Sequence, residues 1–171
     1  LTAGQWIVND LNAVDEKNGF VYLTGRKDTP LEAHLYRVPL IGGEIVRLTE
    51  AGSSHATVVA KDGSGFLDTW SSVVSLPKVA LRDTQGKVVT MLAENALSKE
   101  HPLTEYAADL VTPRFGTLKA KDGQTLHYRM FEPAKKVAGK RYPVVVGVYG
   151  GPGAQRVTNS WSPKDLYFQY L

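Results

Sequence analysis

The sequence predicts a mostly β protein with an α/β start near its C-terminal end. Short apolar segments alternate with turn signals from Trp6 to about Leu92, which is typical of antiparallel strands. The pair Gly19-Phe20 recurs as Gly65-Phe66, so this region is also repetitive. Further on, the run Val144–Val148 contains four valines and no charge, which is typical of a strand covered on both faces.

Composition sets the broad class and excludes several functions. The chain has 171 residues, 43% of them hydrophobic, which suits one folded domain or two small ones. The net charge of +3 comes from scattered basic residues, so nucleic-acid binding is not expected. Because cysteine is absent, disulfides and cysteine-based metal or redox sites are excluded. No run reaches membrane-spanning length, no signal peptide opens the chain, and both ends look cut.

Residues 1–96 are predicted to form two β-propeller blades. Four strands in a period of roughly 45 residues are the signature of such a blade. A single β-sandwich with similar turn spacing remains the alternative. The first four strands begin at Trp6 and then cover Phe20–Thr24, His34–Val38 and Glu44–Thr49. The next four cover Ala56–Ala60, Phe66–Ser71, Lys78–Arg82 and Lys87–Leu92.

The remaining residues are predicted to be a linker, 97–112, and the N-terminal part of an α/β-hydrolase domain, 113–171. Two hairpin strands, Arg114–Ala120 and Gln124–Phe131, precede the apolar strand Val144–Val148. A hairpin followed by a buried strand and a helix is how an α/β-hydrolase sheet begins.

Two helices are predicted in this part of the chain. A short one covers Leu103–Leu110 in the linker. The other begins with Ser162 at the N-cap and Pro163 at the first helical position, and Asp165 lies at the positive end of the helix dipole. Its apolar surface would come from Leu166, Phe168, Tyr170 and Leu171.

The loop Tyr149–Gln155 is the candidate site. Its glycines allow a sharp turn, and catalytic loops in open α/β sheets follow the carboxyl ends of strands. In α/β-hydrolases the loop after the third strand supplies part of the oxyanion hole, and the Tyr149 phenol would add a donor. An ordinary Gly-Pro turn is the alternative. A phosphate loop is excluded because no Gly-Lys-Ser/Thr follows.

The histidines are interpreted as structural or solvated residues. None has a partner at metal-ligand spacing, so no metal or cofactor is predicted. Ser53-Ser54-His55 resembles a nucleophile beside a base, but it lies in a predicted loop between blades and is discounted. The four histidines are His34, His55, His101 and His127.

Two local motifs carry a family resemblance. Lys27–Glu32, together with His34-Leu35-Tyr36 and Gly43–Thr49, is similar to a late propeller blade of the dipeptidyl peptidase IV, 8 and 9 group. Tyr142–Pro152, with Gln155, is similar to the first buried hydrolase strand and its loop. From about Trp6 to Trp161 the chain therefore resembles the dipeptidyl peptidase IV branch of the prolyl oligopeptidase family.

The resemblance implies a serine exopeptidase that removes dipeptides from free N-termini, with Pro or Ala at the second position. It implies that Tyr149 helps the oxyanion hole and that Gln155 lies near the substrate path. It also implies a homodimer. It suggests a periplasmic or secreted location in bacteria, while a cytoplasmic location stays open.

The sequence departs from the family pattern in its catalytic residues. It contains no Gly-x-Ser-x-Gly, and the triad of an α/β-hydrolase follows the oxyanion loop. The paired glutamates that anchor the substrate amine lie in an earlier blade and are also missing. We therefore expect an internal segment that joins the last two blades to the peptidase domain and is inactive alone. The alternatives are an acylaminoacyl peptidase or oligopeptidase relative and a non-enzymatic propeller-type binding module.

Overall fold

The computed structural model describes residues 1–151 and 153–170. The chain divides into two compact units. The first contains residues 1–96 together with Thr158–Trp161, and the second contains residues 97–157 and 162–170 of the described chain. Strands predominate in the first unit and over the described chain taken together, which confirms the mostly β class.

Two four-stranded antiparallel sheets make up most of the first unit. Each is a meander in which consecutive strands are neighbours, the arrangement of a propeller blade. The first sheet contains β1 Val8–Asp15, β2 Phe20–Gly25, β3 His34–Pro39 and β4 Val46–Arg47. The second contains β5 Ser54–Val59, β6 Phe66–Ser72, β7 Ser75–Arg82 and β8 Val88–Ala93.

Strand β4 is shorter than the predicted Glu44–Thr49, because the Thr49 side chain replaces a backbone acceptor in the hydrogen bonding to β3. Leu48 N–H still donates to the carbonyl of Leu35 at 2.8 Å. The next bond on β3 goes instead from Leu35 N–H to the Thr49 hydroxyl at 3.3 Å. Thr49 is thereby turned into the interior, where it is buried. Alternating polarity alone does not reveal this substitution of a hydroxyl for a backbone carbonyl.

The core of the first unit consists of two buried clusters, one on each face of the first sheet. Alternation along β2 and β3 sends Tyr22 and Leu35 to one face and Leu23 and Tyr36 to the other. The first face forms a buried cluster with residues of the second sheet, and each large side chain there contributes about 1.5–3 kcal/mol by burial. The cluster consists of Tyr22, Leu35, Leu48, Val59 and Phe66. A second cluster, on the other face, consists of Leu23, Tyr36 and Val38, with Trp6 and Ile45 against it.

Gly86 fixes the turn between β7 and β8 at a place that admits no side chain. Its φ is +85°, and a Cβ there would collide with the backbone carbonyl oxygen of Leu48. Gly86→Ala is expected to destabilise the first unit by more than the roughly 1–2 kcal/mol that left-handed backbone costs alone. The matched control is Gly42→Ala, whose φ is +83° but which has open space around it. Thermal unfolding of both variants measures the difference, and equal shifts in Tm would contradict the predicted collision.

The second unit contains a hairpin and two helical segments. Strands β9 Arg114–Lys119 and β10 Thr125–Met130 pair in register, as predicted. Helix α1 covers Pro163–Tyr170 and begins where Ser162 and Pro163 predict. Asp165 of α1 forms an ion pair with Arg129 at 2.7 Å. Burial raises the pKa of Asp165 and outweighs the opposing effect of the Arg129 guanidinium.

The predicted helix at Leu103–Leu110 is reduced to a 3-10 turn at Thr104–Tyr106. Its hydrogen bonds span three residues, for example from Ala107 N–H to the Thr104 carbonyl. None of its residues is buried, so no packing favours a longer α-helix. A short helix therefore lies within the predicted range, but it is of the 3-10 type and covers only three residues.

The predicted strand Val144–Val148 is not formed. Its valines are exposed, with fractions between 71% and 81%, and the sheet in the second unit consists of β9 and β10 alone among the described residues. A buried strand needs neighbouring strands to pair its backbone hydrogen-bonding groups and a packed layer to cover its side chains. Val144–Val148 has no neighbouring strand among the described residues, so its apolar sequence alone does not make it a strand. The start of an α/β sheet is thus not seen in the part of the chain that the structure describes.

Some sequence expectations fall outside the described residues. They concern Pro152 of the candidate loop, Leu171, and the side chain of Tyr170. Of the other apolar residues predicted for α1, Leu166 is half-buried and Phe168 is exposed. Within the described ranges, no helix is long and apolar enough to cross a membrane.

Candidate functional site

The candidate loop holds Tyr149 against its own glycines. A Cβ at Gly151 would lie 3.1 Å from the Tyr149 hydroxyl oxygen, closer than an ordinary van der Waals contact. The glycine therefore lets the phenol lie over the loop backbone. Tyr149 is 48% exposed, so its hydroxyl belongs to a side chain open to solvent. Its role in an oxyanion hole stays a prediction.

Gln155 makes a local contact at the end of the same loop. Its Nε2 donates to the carbonyl of Val157 at 2.9 Å, and the side chain is exposed. This bond fixes the direction of the amide without burying it. Contact with a substrate stays a prediction for this residue.

Four residues beyond Gln155, Asn159 lies in the segment Thr158–Trp161, which we call the strap. The Asn159 side chain donates to Glu32 Oε1 at 2.8 Å and accepts from Val73 N–H at 3.2 Å. Its backbone N–H donates to the carbonyl of Leu31 at 2.8 Å. One residue thus bonds to the β2–β3 loop and to the β6–β7 turn. Sequence reasoning missed it, because Glu32 is 127 residues away and no local pattern marks the pair.

Glu32 connects the strap to buried groups of the first sheet. Its Oε2 accepts from His34 Nε2 at 3.2 Å and from Gly52 N–H at 3.1 Å. His34 is fully buried, and its Nδ1 lies 3.0 Å from the Thr49 hydroxyl. Thr49 can donate there while His34 Nε2–H donates to Glu32, which assigns the tautomer. With the bond from Asn159, Glu32 accepts three hydrogen bonds.

Stability of the first unit is expected to fall as the pH drops below about 6.5, because burial lowers the pKa of His34. The Glu32 contact opposes this, while His55 and Arg47 add to it. Because the pKa of His34 is lower in the folded state, the unfolded chain binds a proton below pH 6.5 more readily than the folded chain does. The stability that the neutral ring contributes is therefore fully present above pH 6.5 and is lost on acidification. Thermal unfolding at pH 7.5 and pH 5.5 measures it. His34→Gln should reduce the difference in Tm, and an unchanged difference would contradict the prediction.

The motif around Lys27–Glu32 is held together by charge pairs. Asp28 Oδ2 accepts from Arg47 Nη1 at 2.6 Å and from the Tyr36 hydroxyl at 3.3 Å. Burial, together with the Asp28 charge, raises the pKa of Tyr36 to about 12. The Arg47 contact thus joins this motif to the later segment Gly43–Thr49.

A second polar network is centred on Asp68 of β6. It also contains His55 of β5, Arg82 of β7 and Glu50, which precedes β5. Asp68 accepts from His55 Nδ1 at 3.0 Å and forms an ion pair with Arg82 Nε at 2.8 Å. Arg82 in turn bonds both carboxylate oxygens of Glu50, at 2.7 and 2.8 Å. Burial pushes the pKa of Glu50 upward, but the Arg82 bonds help to bring it below its ordinary value. The Trp70 ring lies beneath the guanidinium, 4.9 Å from it.

This network is structural rather than catalytic or metal-binding. Ligand atoms of Glu50, His55 and Asp68 lie within 4.8 Å of one another. The cation between the two carboxylates is, however, the Arg82 guanidinium. Both His55 nitrogens face oxygen acceptors, since Nε2 lies 3.0 Å from the Glu50 carbonyl. His55 therefore has no free nitrogen to activate a serine, and the hydroxyl of Ser54 instead accepts from Ala33 N–H at 3.1 Å.

The first unit thus consists of two four-stranded antiparallel meanders, an arrangement that is consistent with propeller blades. Residues 1–77 match the family model of the dipeptidyl peptidase IV N-terminal region. Dipeptidyl peptidase 8 of Homo sapiens is 32% identical over 170 residues, covering 93% of this chain. The protein named probable dipeptidyl-aminopeptidase B in Emericella nidulans is 34% identical over 161 residues, covering 92% of this chain.

The predicted resemblance is confirmed: the chain is similar to dipeptidyl peptidases over most of its length, and its residues 1–77 match the model of the dipeptidyl peptidase IV N-terminal region. The chain spans 18% of the length of the human protein and 17% of the fungal one.

Proposed function

We propose that this chain is a segment of a serine-type dipeptidyl peptidase that releases dipeptides with Pro or Ala at the second position. Residues 1–96 would be its last two propeller blades, 97–112 a linker and 113–171 the start of its peptidase domain. The observation that carries the proposal is that similarity to dipeptidyl peptidases extends over 93% of the chain. It therefore reaches beyond the blades to the candidate loop.

In this proposal the phenolic hydroxyl of Tyr149 donates a hydrogen bond to the oxyanion that forms when the scissile carbonyl is attacked. Such a donor accelerates the reaction because its bond strengthens only as negative charge develops. The backbone N–H groups of the Gly-rich loop are further donors for that charge. Gln155 would contact the substrate beside this site. The nucleophile and its base would come from residues outside these 171, since the sequence has no Gly-x-Ser-x-Gly.

The complete protein containing this chain is the proper sample for a test. It should release Ala-Pro from a peptide with a free N-terminus, and N-acetylation of that peptide should abolish release. A fluorophosphonate should label the complete protein, because such reagents trap an activated serine. Preferential cleavage of the acetylated peptide would point to an acylaminoacyl peptidase instead. Absence of labelling and of cleavage would point to a binding module. The proposal includes a homodimer, which sedimentation of the same sample tests.

A further inference from the structure

We propose that the first unit carries a recognition site for a short peptide segment containing asparagine, and that the strap Thr158–Trp161 is its occupant in this structure. The strap belongs to the same compact unit as the two sheets. The site combines polar groups from both sheets, so its occupant joins one sheet to the other. These groups are the Leu31 carbonyl, the Glu32 carboxylate, Ser71 Oγ and Val73 N–H.

Two of the four bonds come from the main chain of the strap. Asn159 N–H donates to the carbonyl of Leu31 at 2.8 Å, and Trp161 N–H donates to Ser71 Oγ at 3.1 Å. Any residue except proline carries such an N–H, so these bonds contribute affinity without selecting a side chain.

The other two bonds select asparagine. The side-chain nitrogen of Asn159 donates to Glu32 Oε1 at 2.8 Å, and its side-chain oxygen accepts from Val73 N–H at 3.2 Å. A primary amide offers a donor and an acceptor on one short side chain, which this pair of partners requires. An aspartate could still accept from Val73 but would place a carboxylate against Glu32. An alanine would leave both partners without their bond, which is costly for groups that are half-buried.

Glu32 is held in place by bonds that do not involve the strap. Its Oε2 accepts from His34 Nε2 and from Gly52 N–H, and its side chain is only 12% exposed. Glu32 thus presents Oε1 in a set direction before any segment binds. A site ordered in advance loses less conformational entropy on binding, which favours recognition of a short peptide.

The test empties the site with Asn159→Pro in the complete protein. Proline has neither a backbone N–H nor an amide side chain, so three of the four bonds are lost. A free peptide with the sequence Val157–Pro163 and blocked ends should then bind in place of the strap. At a peptide concentration about ten times its Kd, hydrogen–deuterium exchange of Val73 N–H should slow about 10-fold. In the wild type the peptide should have no effect, because the tethered strap competes at an effective concentration on the order of millimolar.

A second peptide, which carries the change Asn159→Asp, tests the selectivity. Its Kd for the emptied site should be about 10-fold or more weaker, because the bond to the Glu32 carboxylate is lost. Adding Glu32→Gln to the protein should reverse this preference, since the introduced amide donates to the aspartate of the peptide. The carbonyl of that amide still accepts from His34 and Gly52. Failure of the first peptide to slow exchange at Val73, equal Kd values for the two peptides, or a preference that Glu32→Gln leaves unchanged would overturn the inference.

A double-mutant cycle within the intact chain decides the question if Asn159→Pro does not fold. Asn159→Asp should accelerate exchange at Val73 N–H by about 10-fold or more, and Glu32→Gln in the same chain should restore slow exchange. The matched control is Asn9→Asp, the same change at an exposed position, which should leave exchange at Val73 unchanged. Unchanged exchange in Asn159→Asp, or no restoration by Glu32→Gln, would show that the site does not select asparagine.

Discussion

Replacing Tyr149 by phenylalanine in the complete protein is expected to lower kcat by about 10²–10³-fold while KM changes little. The substitution removes one hydroxyl and keeps the ring that lies over Gly151. The lost bond would form fully only when the carbonyl oxygen becomes negative, so its removal raises the activation barrier by about 2.7–4 kcal/mol. Substrate binding in the ground state would be nearly unaffected, which is why the effect should fall on kcat.

Steady-state kinetics with a dipeptide substrate measure this effect, and a peptide boronic acid provides a second reading. The boronate mimics the tetrahedral intermediate, so its affinity should fall in parallel with kcat. Tyr142→Phe is the matched control, because its hydroxyl bonds locally to Val137 N–H at 2.9 Å in the preceding loop. An unchanged kcat for Tyr149→Phe, or an equal loss for Tyr142→Phe, would reject the oxyanion role.

Asp68→Ala is expected to lower the free energy of opening of strands β5 to β8 by about 3–5 kcal/mol. Asp68 is fully buried and pairs with both Arg82 and His55. Without Asp68, the Arg82 guanidinium keeps only one carboxylate partner, that of Glu50. The Arg82 side chain is 1% exposed, whereas that of Glu50 is 63% exposed. A buried charge that loses one partner cannot recover its hydration, so the cost is far larger than for a surface pair.

Hydrogen–deuterium exchange of the β5–β8 amides in the complete protein measures the local opening. The matched control is Asp10→Ala, an exposed position on β1, where a change within about 0.5 kcal/mol is expected. Equal protection in the two variants would show that the Asp68 network adds no stability. Such a result would also remove the reason for assigning His55 a structural role.

Local sequence patterns predict the first unit well, since its strands depend on short-range signals. The turn at Gly19, which has φ +74°, and the turn ending near Gly65 bound strands that begin where alternation predicts. The same reasoning failed at Val144–Val148, because an apolar pattern shows that a segment can be buried but does not supply the strands that bury it. It also overextended β4, where the Thr49 hydroxyl replaces a backbone acceptor.

The sequence by itself determined the mostly β class, the order of the eight strands of the first unit, the β9–β10 hairpin and the family resemblance, because periodicity and turn residues act over a few positions. Only the tertiary structure decided which polar groups meet. Asn159 reaches Glu32 across 127 residues, and Arg82 reaches Glu50 across 32. These pairs form because strand pairing and sheet packing bring distant loops together, where buried donors and acceptors must be satisfied.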